Sequence, residues 1–200
     1  IHSLLSFVLK PRWALNYFMR EPFQLPNLNS HILEGSNISI SVSDYFSTML
    51  DQSMNWEDAT EIRRRWDKPF CLKGIMSVED AKRAVQIGAD AIMVSNHGGR
   101  QLDGSRSPFD QLKEIVDAVG SQIDVICDGG IQRGTHILKA LSLGAKACSG
   151  GRWYLYALAA GGQTGVEQAI TNMQSELERD MKLMGARNIQ DLSPENLRYR

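Results

Sequence analysis

The chain has 200 residues, with 22 lysines and arginines against 23 aspartates and glutamates, and is 42 % hydrophobic. That balance describes an ordinary globular chain and offers no basic block for nucleic acid. No apolar run reaches the roughly 20 residues that span a bilayer, and no secretory leader pattern opens the chain. Cys71, Cys127 and Cys148 each sit in an apolar run, none in a Cys-x-x-Cys pair, so buried reduced thiols of a cytoplasmic protein are expected, with no metal site.

Taken in order, residues 1 to 20 read as helical pieces on either side of Pro11, which is placed to begin the second. From Glu21 to about Asn55 periodicity fades through prolines, Gly35 and a Ser/Asn-rich tract, predicting a long loop over 20–55. Trp56 opens a helix to about Trp66, and Phe70-Cys71-Leu72-Lys73-Gly74 is a short apolar run ending in a lysine. Ser77 is an N-cap, Ala81, Ala84 and Val85 form an inward stripe, and Gly88 stops that helix. Ala91-Ile92-Met93-Val94 is a buried strand ending at Ser95.

The next unit repeats the plan. Ser107-Pro108 caps a helix that Gly120 stops, and Ile123 to Cys127 is a strand ending at Asp128-Gly129-Gly130. A helix from about Thr135 to Leu143 stops at Gly144, and Ala147-Cys148 leads into Ser149-Gly150-Gly151-Arg152. A long amphipathic helix over about Gly165 to Gly185 carries an apolar stripe expected to be core packing, and Leu192-Ser193-Pro194 starts a final helical turn. The pattern A-x-x-x-G-A-x-A occurs at Ala84 and again at Ala140, 56 residues on, or two units of about 28. Strand–helix alternation at that pitch predicts a parallel α/β sheet of the (β/α)8 TIM-barrel type rather than an open doubly wound one.

In such barrels the C-terminal strand ends form the active face. Four inferred ends place Lys73; then Ser95, His97 and Arg100; then Asp128, Gly129 and Gly130; then Gly151 and Arg152 on one rim. Histidine is the residue type suited to general-base work, which makes His97 the candidate base. Arg100 presents a planar fork for a carboxylate. The glycine-rich ends offer backbone N–H groups to a phosphate.

The string Ser95-Asn96-His97-Gly98-Gly99-Arg100-Gln101-Leu102-Asp103 resembles the signature of the FMN-dependent α-hydroxy acid dehydrogenases and oxidases. Lys10-Pro11-Arg12-Trp13 and the Leu-Lys-Gly-Ile around Lys73 are similar to that family as well. The resemblance covers essentially all of residues 1–200, as the C-terminal part of one barrel domain supplying about the last four βα units plus C-terminal helices. It implies oxidation of an L-2-hydroxy acid, such as L-lactate, to the 2-oxo acid. His97 would be the base, Arg100 the carboxylate clamp, and Lys73 the cation facing flavin N1/C2=O. Ser95 would hydrogen-bond the ring, while Asp128, Gly129, Gly130, Gly151 and Arg152 would line the ribityl phosphate. It further implies an electron acceptor (oxygen, quinone or a cytochrome), a homotetramer, and a mobile active-site cover over 20–55. That segment touches the membrane in some relatives, so a location peripheral to its inner face accompanies the cytoplasmic expectation.

Two departures stand out. Relatives commonly read Asp-Gly-Gly-x-Arg, whereas this chain has Gln132, with Arg133 one place later, leaving open whether Arg133 takes over. The last strand end reads Ser149-Gly150-Gly151-Arg152-Trp153 where relatives often have Gly-x-Gly-Arg-Pro. Only four of eight strands are legible and Ile1 is not a methionine, so the chain is expected to be a half barrel with two unpaired sheet edges. The alternatives are a phosphate-binding barrel of another class and an inactive fragment. The first is an aldolase with Lys73 as Schiff-base nucleophile, or a flavin-dependent isomerase.

Overall fold

A computed structural model describes residues 9–21 and 50–198, within two units, residues 1–52 and 53–200. In the first unit Pro11–Phe18 forms helix α1, with proline at its start, where a missing N–H costs no helical bond. Trp13 and Tyr17 stack on one another with ring centroids 5.3 Å apart. The expected helical piece before Pro11 and most of the 20–55 loop fall outside the described residues.

The second unit starts with α2 (Trp56–Arg65), fixed by a capping box in which Asn55 and Asp58 satisfy each other's backbone N–H groups. Alternating strands and helices follow: β1 (Cys71–Lys73), α3 (Val78–Gln86), β2 (Ala91–Ser95), α4 (Pro108–Val119), β3 (Asp124–Asp128), α5 (Gly134–Ser142) and β4 (Ala147–Ser149). The four strands are parallel in the order β1-β2-β3-β4. Ser77 and Ser107 cap α3 and α4 by accepting from Asp80 N and Asp110 N, as their sequence positions predict.

The repeated A-x-x-x-G-A-x-A has a mechanical reason. At the end of α3, Ala89 N donates to Ala84 O and Gly88 N to Val85 O; at the end of α5, Ala145 N donates to Ala140 O and Gly144 N to Leu141 O. Both are Schellman stops, with Gly88 at φ 76° and Gly144 at φ 96°, a conformation that costs other residues a Cβ clash. The alanines on either side are buried because each stop folds the chain tightly into the next strand.

Strand alternation sorts the sheet into two faces. Ile92, Val94, Val125 and Cys127 are buried under the helices, against Ala84, Leu112, Ile115 and Val119. The opposite face carries Lys73, Met93, Ser95, Ile126, Asp128 and Ser149. The register puts Lys73 beside Met93, Ser95 beside Asp128 and Asp128 beside Ser149. Three polar side chains thus end adjacent strands on one face, next to a lysine.

Three expectations are corrected. Cys71 is exposed, because it lies on the face without helices; Cys127 is buried and Cys148 half-buried. The C-terminal helix starts at Arg152, not near Gly165, and runs as α6 (Arg152–Met184) with a break at Gly162, φ 61° and ψ −145°. Residues 153–160 are good helix formers without a clear apolar period, so pattern reading passes over them. The α6 stripe is not core: none of its residues is buried, Val166, Met173 and Leu177 are half-buried, and Ile170 is exposed. Short 3-10 turns at Ile189–Asp191 and Pro194–Asn196 complete the fold.

Candidate active site

The rim is built around one hydrogen-bonded triad. Lys73 Nζ donates to Ser95 Oγ at 3.0 Å, Ser95 Oγ donates to Asp128 Oδ2 at 2.5 Å, and Lys73 Nζ stands 3.2 Å from Asp128 Oδ2. The side chain of Asp128 is 14 % exposed and that of Lys73 47 %. Burial raises the Asp128 carboxyl, yet hydrogen bonds from Ser95, Ser149 and Lys73, with the lysine charge, outweigh it and hold the group below its ordinary value. An anion and a cation are therefore fixed side by side at the end of the sheet.

Beyond Ser95 the chain turns at once. His97–Gly99 is a 3-10 turn with Asn96 at its cap, accepting from Gly99 N at 3.2 Å and donating to Arg106 O at 3.2 Å. His97 N donates to Ser95 Oγ at 3.2 Å, and His97 itself sits at φ 57°. The imidazole lies against Gly74: a Cβ there would stand 3.0 Å from His97 Cε1. Gly74 follows Lys73 directly, so the histidine and the lysine are neighbours across β1 and β2. Arg100 closes the same turn, exposed and without an ion pair among the described residues.

The glycine-rich ends of β3 and β4 complete the rim. Gly129 and Gly130 have positive φ, and open space lies beside Gly130 and Gly151 where a Cβ would be. Gly151 caps α6 with no side-chain bond, and no acidic residue occupies that helix's first turn, so its positive end is available to an anion. Arg152 reaches back to donate to Gly98 O at 2.9 Å, joining this end to the His97 turn. Arg133 points elsewhere: its guanidinium pairs with Glu176 of α6 through Nε at 2.8 Å and through Nη2, while Gly134 N donates to Glu176 Oε2 at 2.7 Å.

Sequence reading singled out Lys73, Ser95, His97, Arg100, Asp128, Gly129, Gly130, Gly151 and Arg152. The structure sets them all at the C-terminal ends of the parallel strands or in the turns just beyond. Sequence reading assigned no role to Asn96, Ser149, His136 and Glu176. His136 Nδ1 lies 3.2 Å from Gln132 N and 3.0 Å from Gly130 O. Only its i, i+4 spacing from Gln132 could have flagged it. Two of the thiols make poor nucleophiles: burial pushes Cys127 up to about 11 and Cys148 up to about 12. No group of three metal-ligating side chains occurs, and no helix is long and apolar enough to cross a membrane, among the described residues.

Comparison with known proteins points one way. The family model described as FMN-dependent dehydrogenase matches residues 1–199. Among curated relatives, the pre-mycofactocin synthase of Mycolicibacterium smegmatis is 41 % identical over 94 % of this chain and 47 % of its own length. The L-lactate dehydrogenase of Xanthomonas axonopodis pv. citri is 40 % identical over 98 % and 51 %, and an L-lactate oxidase of Nostoc is 44 % identical over 88 % and 50 %. The chain thus spans about half the length of the relatives it matches. A mandelate oxidase solved with a monooxide FMN adduct superposes with TM-score 0.67 and 46 % identity, covering 70 % of this chain and 44 % of that one. A flavocytochrome b2 variant with sulfite bound gives 0.70 and 39 %, covering 76 % and 41 %. The four βα units are a segment of the (β/α)8 barrel of these flavin oxidases. From strand order to rim turns to the match along its length, the chain belongs to the FMN-dependent dehydrogenase family.

Proposed function

We propose that the protein carrying this chain oxidises an L-2-hydroxy acid, with L-lactate as the type substrate, to the 2-oxo acid, and that residues 1–200 lie within one barrel domain. The observation that carries this reading is the triad of Lys73, Ser95 and Asp128, one turn from His97 and Arg100. A planar, polyhydroxylated phosphate ester such as FMN fits the donor set. Asp128 offers carboxylate lone pairs to hydroxyls, and Lys73 offers its remaining N–H to a ring. Ser95, its one proton on Asp128 and its lone pairs met by Lys73 and His97 N, steadies that lysine instead of bonding the ring. Gly130, Gly151, Arg152 and the uncapped start of α6 offer N–H groups to a phosphate.

When bound, FMN supplies a two-electron acceptor. Arg100, unpaired among the described residues, receives the substrate α-carboxylate in a bidentate fork. His97, exposed beside Gly74, takes a proton from the substrate hydroxyl or α-carbon. Lys73 would hold the flavin ring beside its ammonium, which Asp128 and Ser95 fix in advance, and a charge preorganised in this way is how a site lowers a barrier. The aldolase alternative has less behind it, because the matching family model and the curated relatives are flavin dehydrogenases and L-lactate enzymes.

The electron acceptor (oxygen, quinone or cytochrome) and a homotetramer belong to the proposal. Anaerobic titration of the purified protein with a panel of 2-hydroxy acids tests it. Bleaching of the flavin bands by an L-2-hydroxy acid is expected. Absence of flavin absorbance, with borohydride trapping a substrate on a lysine, would overturn the reading.

A further inference from the structure

The turn between β3 and α5 is built without a free arginine. Gln132 stands where a cation would be placed for a phosphate, and it is exposed, lining a cleft of about 510 Å³ along α6 with Trp153, Asn172 and Glu176. Arg133 and the first N–H of α5 are both committed to Glu176, whose carboxyl is held low by the Arg133 hydrogen bonds and by Gly134 N. The turn itself therefore keeps no side-chain charge of its own for an incoming anion. What shapes the turn is a histidine.

His136 occupies the first turn of α5, its own N–H donating to Arg133 O at 3.0 Å. Its ring reaches back over the preceding residues, with Nδ1 3.2 Å from Gln132 N and 3.0 Å from Gly130 O. One aromatic nitrogen carries either a lone pair or a proton, never both. With the lone pair it accepts from Gln132; with the proton it donates to Gly130, and the Gln132 N–H is then released. The two arrangements pin opposite ends of a turn of three residues, and only the second frees a backbone donor.

We propose that His136 is a positioning residue for the phosphate monoester of the cofactor: its ring sets the Gly130–Gln132 turn so that backbone N–H groups receive the anion that no arginine of this turn reaches. Shifting the ring proton to Nδ1 releases Gln132 N–H to the phosphate while Gly130 O stays held, so both backbone groups facing the ring keep a partner. The inference rests on assigning the glycine-rich ends of β3 and β4 to the phosphate, and its test separates the two claims.

The probes are FMN and riboflavin, which differ by the phosphate alone, titrated into the flavin-stripped protein by fluorescence quenching. The unaltered protein binds FMN more tightly than riboflavin. His136→Phe, which keeps a ring and removes both nitrogens, weakens FMN about 10-fold and leaves riboflavin within about twofold, and His136→Asn, which retains an acceptor and a donor, recovers most of the loss. Riboflavin binding reports an intact ring site in each variant. Equal weakening of both flavins, or no weakening of FMN, overturns the role of His136. Equal affinity of the unaltered protein for FMN and riboflavin overturns the phosphate assignment beneath it.

Discussion

A carboxylate at 14 % exposure is costly unless its lone pairs are met, and Asp128 meets them with Ser95, Ser149 and Lys73. Because burial is outweighed by those partners, the folded carboxyl titrates below the unfolded one. Its contribution is then complete above the ordinary carboxylate range near about 3.9 and is lost as pH falls through the folded value. Asp128→Asn is expected to cost about 1 kcal/mol of unfolding free energy at pH 7, measured by denaturant titration. The gap between the two proteins should close as pH drops below about 4, and a gap that widened in acid would contradict the triad. Lys73, Ser95 and Asp128 were all legible because each is a polar residue ending an apolar strand. Their mutual contact was not, since it depends on register between strands that are 22 and 33 residues apart in sequence.

At the scale of elements, local signals carried furthest where the chemistry is local. Ser77, Ser107-Pro108, Gly88 and Gly144 bound their helices as read, because caps and positive-φ stops involve residues a few places apart. The joint between α5 and α6 had no such signal. Glu176 meets Arg133 and Gly134 across 43 and 42 residues, and nothing in either segment announces the other. The joint is also close: a Cβ on Gly134 would stand 2.5 Å from Leu177 N. Gly134→Ala should therefore force α6 away and lower the unfolding free energy by roughly 1–3 kcal/mol, seen as a reduced thermal midpoint. An unchanged midpoint would show that the two helices yield freely there. The break at Gly162 lies between two helical stretches, and the long Ala- and Leu-rich run before it hid the earlier start of α6.

Across the whole second unit, a parallel sheet with helices on one face leaves its other face to carry the polar rim. Among the described strands, β1 and β4 each have a single neighbour, and the chain matches about half the length of its relatives. Tyr154, Leu155, Tyr156 and Leu158 are exposed on the first stretch of α6. The fold class was readable from strand–helix alternation and the repeated alanine–glycine stop, whereas the burial of the long C-terminal helix was not. A stripe at helical spacing tells which side would be covered, but not by what.

The central claim is that His97 takes the substrate proton at a rim where Lys73 and Arg100 also act. Anaerobic stopped-flow mixing of L-lactate with the flavin-loaded protein, unaltered and as His97→Gln, tests it most directly. The account predicts rapid loss of flavin absorbance in the unaltered protein and a fall of about 10² to 10⁴-fold in the variant, with flavin still bound. Reduction of the variant at nearly the unaltered rate would contradict it.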